Sequence, residues 1–303
     1  MKLIRVENLL IIAFTLYAIG YNFFNLNLRH PFHLNEFLTS LLIISTVLIA
    51  AAGYIINDYF DVKTDLINHP ETVVIDRVIK RRWAMVLHIV FSSIGLILGV
   101  YIALKCHHIS LVLFQILAIV LLWFYSTHFK KQLLVGNIVV SLLTASIPLM
   151  PLIYNLDGSD STGKDSNPGI EDIITYHSMV VLMFAGFAFL TSFAREIIKD
   201  MEDYKGDIQT GCRTMPIEWG MITSKVFTFF LLVIIVGVLA FVSLKLFQYD
   251  KIMQLWYAVG LMILPLLVLM FMVIRANTSR HFKMASLLLK FVMLSGITFM
   301  FFL

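Results

Sequence analysis

Two short acidic runs in an otherwise apolar chain share one carboxylate spacing. The first is Asn57-Asp58-Tyr59-Phe60-Asp61-Val62-Lys63-Thr64-Asp65, and the second is Lys199-Asp200-Met201-Glu202-Asp203-Tyr204-Lys205-Gly206-Asp207. Both read D-x-x-D-x-x-x-D, and both place a lysine two residues before the last aspartate. On an α-helix, offsets of three and seven residues bring side chains back to within about 60° of one another. Asp58, Asp61 and Asp65 would then share a stripe, with Asn57 at its margin, and Asp200, Asp203 and Asp207 would share another. Like charges stacked in this way repel, and a bound divalent cation removes the penalty. Oxygen ligands without His or Cys among them suit Mg²⁺ rather than zinc. Mg²⁺ takes one or two carboxylates and fills its octahedron with water and phosphate oxygens. Two such stripes facing each other would hold two or more Mg²⁺ ions around a diphosphate and stabilise it as a leaving group. The plainer alternative is a pair of solvated acidic helix ends neutralised by nearby lysines. Matched spacing at the edges of two apolar segments, where carboxylates are costly, weighs against it.

Basic residues that could hold the anion lie near both runs. Lys130 and Lys131 follow Tyr125, Arg77, Arg81 and Arg82 follow the first run, and Arg195 and Lys199 lead into the second. Arginine pairs bidentately with phosphate oxygens, whereas lysine acts as a point charge. Basic residues at cytoplasmic helix ends are also what membrane topology alone demands.

The elements that must position these groups are membrane helices. The chain is 59% hydrophobic and 14% charged, with mean hydropathy +0.88, against about 25% charged residues in soluble domains. Nine apolar segments of spanning length run approximately over 7–26, 37–60, 83–104, 109–127, 132–154, 174–196, 221–247, 252–274 and 284–303, and about 20 residues cross the hydrocarbon core. With the N-terminus cytoplasmic, 17 of the 23 Lys and Arg residues fall on the cytoplasmic side. The expected fold is an all-α membrane protein, a nine-transmembrane-helix bundle with the N-terminus cytoplasmic and the C-terminus outside, forming one domain over 1–303. Both acidic runs then lie on the cytoplasmic side, in the loops after helices two and six. Asn155 to Asp172 reads as a polar outer loop. Gly95 and Gly99 form a G-x-x-x-G suited to close helix packing. The N-terminal apolar stretch has no small-x-small cleavage site after it and reads as a retained first helix. Cys106 and Cys212 fall on opposite sides of the bilayer, so no disulfide is expected. Basic residues scattered among loops argue against a nucleic-acid partner despite a pI near 9.0.

Together these motifs resemble the UbiA superfamily of intramembrane prenyltransferases. Asn57, Asp58, Asp61 and Asp65 match its N-D-x-x-D-x-x-x-D, and Arg195 to Asp207 matches R-E-x-x-K-D-x-x-D-x-x-G-D. Gly211-Cys212-Arg213-Thr214-Met215-Pro216 is similar to G-x-R-T-x-P. Tyr125-Ser126 with Lys130 resembles Y-S-x-x-x-K, followed by Gly136-Asn137, and Arg5 and Asn8 resemble the R-x-x-N that opens the first helix. The resemblance implies a nine-helix enzyme that transfers an isoprenyl chain, with Mg²⁺ as cofactor, from a prenyl diphosphate to a lipophilic acceptor within membrane lipid, with no protein partner required. It implies metal ligation by Asn57, Asp58, Asp61, Asp65, Asp200, Asp203 and Asp207. It implies diphosphate binding by Asn8, Asn57, Lys130, Arg195 and Lys199, and catalytic roles for Asp61, Asp65, Asp203, Asp207, Lys130 and Tyr125. Tyr54, Tyr59, Phe60 and Phe193 are aromatic candidates for stabilising an allylic cation. The chain departs from the family after the first run. Many members read N-R-P-x-R-P-I-P-S-G there, whereas this chain reads Asn68-His69-Pro70-Glu71-Thr72-Val73-Val74-Ile75-Asp76, without the arginines.

The second motif and its tail look most like members that prenylate geranylgeranylglyceryl phosphate. An aromatic acceptor, of the quinone or haem type, is the alternative within the family. A divalent-cation transporter is the alternative from another class, though it would more often place its carboxylates near the membrane midplane.

Overall fold

Long apolar runs have one economical solution in lipid, since a helix satisfies every backbone N–H and C=O within its own segment. A computed structural model describes residues 3–24, 34–71, 73–156 and 168–302, and among these the ordered elements are helical. In chain order they are α1 (Val6–Phe24), α2 (Glu36–Asn68), α3 (Arg81–Lys105), α4 (Val112–Thr127), α5 (Val135–Leu156), α6 (Pro168–Glu202), α7 (Tyr204–Thr210), α8 (Met215–Glu218), α9 (Met221–Gln248), α10 (Ile252–Ala258), α11 (Leu264–Arg275) and α12 (Ser279–Phe299). A π-turn over Val259–Ile263 joins α10 to α11. Among the described residues, eight helical segments are long and apolar enough to cross a membrane, and Val6–Tyr21 is a shorter apolar helix. Large apolar side chains stand exposed along them, among them Leu113 (65%), Trp256 (68%) and Ile222 (78%). Apolar exposure on this scale matches helices whose outer faces meet hydrocarbon.

Three expectations need correction. The acidic runs are not in loops. At about 1.5 Å per residue, the 33 residues of α2 exceed what the hydrocarbon requires. The surplus, at the C-terminal end, carries Asn57 through Asp65. The helix stops where Pro70 disfavours helical geometry at the residue before it. The second run occupies the last turn of α6, a bend at Asp203, and α7. Its three aspartates therefore do not lie on one unbroken helix. The expected polar loop is also shorter, because Asn155 and Leu156 end α5 and Pro168–Asp172 begin α6. Its centre, 157–167, lies outside the described residues, as do Lys2, Arg29 and Lys164 of the charge argument.

The chain gathers into two compact units. The first comprises Met1–Val62, Thr72–Thr127 and Ala145–Gly186. Its core packs Leu16, Leu42, Ile102 and Tyr154, with a second cluster around Leu3, Ile55, Ile75 and Ala84. Polar links tie its helices together: Ser45 Oγ donates to the Gly95 carbonyl (2.7 Å), Gln115 Nε2 donates to Ser45 Oγ (3.2 Å), and the His88 ring bonds the Ala52 carbonyl (3.0 Å). The G-x-x-x-G face of α3 is thus used inside this unit. The second unit comprises Lys63–Glu71, His128–Thr144 and Phe187–Leu303. Its core runs through Ile197, Ile198, Leu232, Leu266, Phe282 and Leu289. Cys106 and Cys212 are both free and buried.

Candidate active site

In the first unit, the N-terminal part of the first motif meets the start of the chain. Arg5 Nη2 donates to Asp58 Oδ1 at 3.0 Å, and its guanidinium lies 5.2 Å from the centre of the Tyr54 ring. Burial works against the Arg5 charge, but the Asp58 carboxylate, with Tyr54 and Tyr125 nearby, outweighs it and raises the guanidinium pKa above its ordinary value. One aspartate of the first triad is therefore engaged by a protein cation. Asn8 lies in the first turn of α1, its N–H bonded to the Arg5 carbonyl. Asn57 and Asp61 are buried, at 8% and 6% exposure. Asn57 Oδ1 finds no hydrogen-bond partner among the described residues. A buried acceptor without a donor is expensive in protein alone, and it suits a hydrated cation. Arg81 donates to Asp76 (2.7 Å) and lies over the Tyr59 ring at 5.8 Å.

In the second unit, the last turn of α2 lies against the bend that carries the second motif. Asn68 Nδ2 donates to the Asp203 carbonyl (3.0 Å), and Asn68 Oδ1 accepts from the Gly206 N–H (2.9 Å). A Cβ on Gly206 would sit 2.5 Å from Asn68 Nδ2, which gives the motif glycine a steric reason. His69 Nε2 meets Asp203 Oδ1 at 2.9 Å and Glu202 Oε1 at 3.8 Å. The hydrogen bond to Asp203, aided by the carboxylates around the ring, raises the His69 pKa against the opposing effect of burial. Burial pushes the Asp203 carboxyl upward, but the His69 hydrogen bond and the Lys199 and Lys130 charges prevail and hold it below the ordinary carboxylate range. Asp65 lies one turn before His69, whose N–H bonds the Asp65 carbonyl. Asp200 Oδ2 accepts from Asn137 Nδ2 at 2.8 Å, and Asp207 is buried at 5% exposure. Arg195 and Lys199 both approach Glu196, at 3.4 and 3.9 Å, and Arg195 Nε has no partner among the described residues. The Arg213 N–H bonds the Lys131 carbonyl, joining the G-x-R-T-x-P stretch to the turn that carries Lys130.

The structure thus brings Asp65, Asp203, Lys130 and Lys199 into one unit, and Asn8, Asn57, Asp58, Asp61 and Tyr125 into the other. Among the described residues no three His, Cys, Asp or Glu side chains converge as a preformed metal centre. Mg²⁺ asks for less, one or two carboxylates with water and phosphate completing its shell. The oxygen donors present and the unmatched Asn57 Oδ1 fit that demand. Sequence reasoning missed three contacts: Arg5 with Asp58, Asn137 with Asp200, and the Asn68–His69 pair with Asp203 and Gly206. Arg5 and Asn137 were visible as motif residues. His69 was visible only as the residue standing where the family has arginine.

The sequence profile of the UbiA prenyltransferase family matches residues 9–294. Digeranylgeranylglyceryl phosphate synthase of Thermococcus sibiricus is 33% identical over 194 residues, covering 64% of this chain and 61% of that one. The enzyme of the same name from Pyrococcus horikoshii is 31% identical over 227 residues, covering 75% and 69%. The alignment thus spans about three fifths of the Thermococcus relative's length. A solved digeranylgeranylglyceryl phosphate synthase superposes with TM-score 0.58 at 23% identity, covering 100% of this chain and 97% of the other. A UbiA homologue from Archaeoglobus fulgidus, solved bound to GPP and Mg²⁺, gives 0.60 at 17% identity, covering 99% and 98%. At such identities the structural likeness is one of fold. The sequence match encloses both aspartate runs and the helices that carry them, and on that ground the chain belongs to the UbiA prenyltransferase family.

Proposed function

We propose that this protein transfers an isoprenyl chain from its diphosphate to the free hydroxyl of a prenylated glyceryl phosphate. The observation that carries the reading is the presence of both complete aspartate motifs, in order, within a family match spanning nearly the whole chain. Relatives named digeranylgeranylglyceryl phosphate synthase support the acceptor, and a neighbour bound to GPP and Mg²⁺ supports the donor and the ion.

In this reading Asn57, Asp61, Asp65, Asp203 and Asp207 hold Mg²⁺ and the diphosphate, while Asn8, Lys130, Arg195 and Lys199 contact diphosphate oxygens. When bound by these residues, Mg²⁺ would supply charge neutralisation that makes the diphosphate a better leaving group. The allylic C–O bond breaks with its electron pair leaving on the diphosphate, the acceptor oxygen bonds to the freed carbon, and the hydroxyl proton passes to the departing diphosphate. Tyr125 and Lys130 steady the departing charge. Apolar walls keep water from the cationic carbon until the acceptor attacks. The topology we assign has nine spans, Val6–Tyr21 being the first, with the N-terminus and both motifs cytoplasmic.

The test is to incubate purified protein with labelled prenyl diphosphates, Mg²⁺ and a panel of acceptors, and to read products by mass. A product of prenylated glyceryl phosphate is expected. A product only on aromatic acceptors would replace the acceptor, and no product under any pairing would overturn prenyl transfer. Metal flux into liposomes without diphosphate would favour a transporter.

A further inference from the structure

The end of α2 makes contacts that neither its family motif nor its hydropathy requires. Thr64 Oγ1 meets Thr210 Oγ1 at 3.3 Å, Asn68 bridges the Asp203 carbonyl and the Gly206 N–H, and His69 reaches the Asp203 side chain. The Thr64 contact reaches the end of α7, and the Asn68 and His69 contacts fall on the bend between α6 and α7. At the bend the Asp203 carbonyl accepts from the Gly206 and Asp207 N–H groups. Asn68 adds a donor to that carbonyl and an acceptor to the Gly206 N–H, and so straps the bend from outside. An ionised carboxylate only accepts, so His69 must donate through Nε2, occupying one lone pair of Oδ1. The bond restrains rotation of the Asp203 carboxylate and leaves lone pairs on both oxygens for other partners. The histidine occupies the first of the two positions where the family pattern has arginine. A guanidinium would bring a fork of donors there, whereas an imidazole brings a single directed one.

We propose that Asn68 and His69 form a positioning clamp for Asp203, with Asn68 fixing the backbone of the bend and His69 fixing the carboxylate in the orientation that receives the cation. The proposal rests on the reading of Asp203 as a Mg²⁺ ligand. Partners of this kind, bonded to a ligand rather than to the metal, are worth about 10- to 100-fold in metal affinity or activity.

The test compares wild type, His69→Ala and His69→Gln in detergent, with Mn²⁺ binding followed by electron paramagnetic resonance and prenyl transfer measured against Mg²⁺ concentration. His69→Ala is expected to raise the cation concentration for half-saturation about 10- to 100-fold, in both measurements, with a smaller fall in kcat at saturating cation. His69→Gln keeps a donor and is expected to recover most of the loss. A merely structural histidine would lower thermal stability without this split between cation affinity and kcat. If His69→Ala does not survive purification, His69→Phe keeps the ring volume and lacks the donor. A folded His69→Ala or His69→Phe that binds Mn²⁺ like wild type overturns the clamp alone. A wild-type chain that neither binds Mn²⁺ nor transfers prenyl groups overturns the functional reading and the clamp with it.

Discussion

The two aspartate triads have the same spacing and different backbones. The first sits on the unbroken α2 and the second is split by the bend at Asp203. In both, however, the first aspartate has a protein partner: Asp58 accepts from Arg5 and Asp200 accepts from Asn137. In the second run the middle aspartate is tied as well, Asp203 to His69, so matched spacing does not give the two runs matched partners. In the proposed reading the first aspartate of each run anchors and the second and third serve the cation. The continuous α2 sets Asp61 and Asp65 one turn apart, whereas at the bend Asn68 and His69 meet Gly206 and Asp203.

The sharpest way to break this comparison is to neutralise the second aspartate of each run. Asp61→Asn and Asp203→Asn should each lower prenyl-transfer turnover by about 10²- to 10³-fold, the scale of losing one electrostatic stabiliser of a departing charge. Helix content by circular dichroism should be unchanged. Removing divalent cations with a chelator should abolish turnover in wild type, and Mg²⁺ should restore it. Equal turnover in Asp61→Asn and wild type would leave the first run as a solvated helix end.

Next in size is the Arg5–Asp58 pair. Its side chains are 36% and 19% exposed, which places it between surface pairs worth under about 1 kcal/mol and buried ones whose breakage costs about 3–5 kcal/mol. Arg5→Met should therefore cost about 1–2 kcal/mol of stability, and adding Asp58→Asn to it should recover part of that by removing the stranded carboxylate. A double-mutant cycle on thermal unfolding in detergent checks both. Asp58→Asn alone should reduce turnover far less than Asp61→Asn. Equal losses would make Asp58 a ligand and dissolve the division within the triad.

What the sequence disclosed and what it hid divides along physical lines. Apolar run length measures how far hydrocarbon extends, and eight of the nine segments correspond to helices of spanning length among the described residues. It does not measure how far a helix extends. Hydropathy falls from Asn57 onward, yet α2 continues to Asn68, because carboxylates on one stripe do not break a helix and Pro70 is the first residue that does. The candidate ligands were legible because their spacing is local. Their partners were not, because Arg5 and Asp58 lie 53 residues apart, Asn137 and Asp200 lie 63 apart, and His69 and Asp203 lie 134 apart. No local pattern carries a contact across such distances. Gly206 falls between these cases. Its place in the motif was plain, but the crowding by the Asn68 side chain required the fold.

The smallest expected effect sharpens the comparison most. Asp200→Asn keeps a carbonyl oxygen where Asn137 Nδ2 donates, so the anchoring bond can persist in neutral form at a cost under about 1 kcal/mol. Mn²⁺ affinity should then stay within a few-fold of wild type, while Asp203→Asn loses it. Asp200→Leu removes the acceptor and strands the Asn137 amide, and should lower the melting temperature more than Asp200→Asn while also leaving cation affinity the lesser change. The two substitutions together separate an anchor from a ligand, since a ligand is lost equally in both and an anchor only in the second. If Asp200→Asn abolishes Mn²⁺ binding as fully as Asp203→Asn, the first aspartate of the second run is a ligand despite its bond to Asn137. The parallel with Asp58 would then be one of spacing alone.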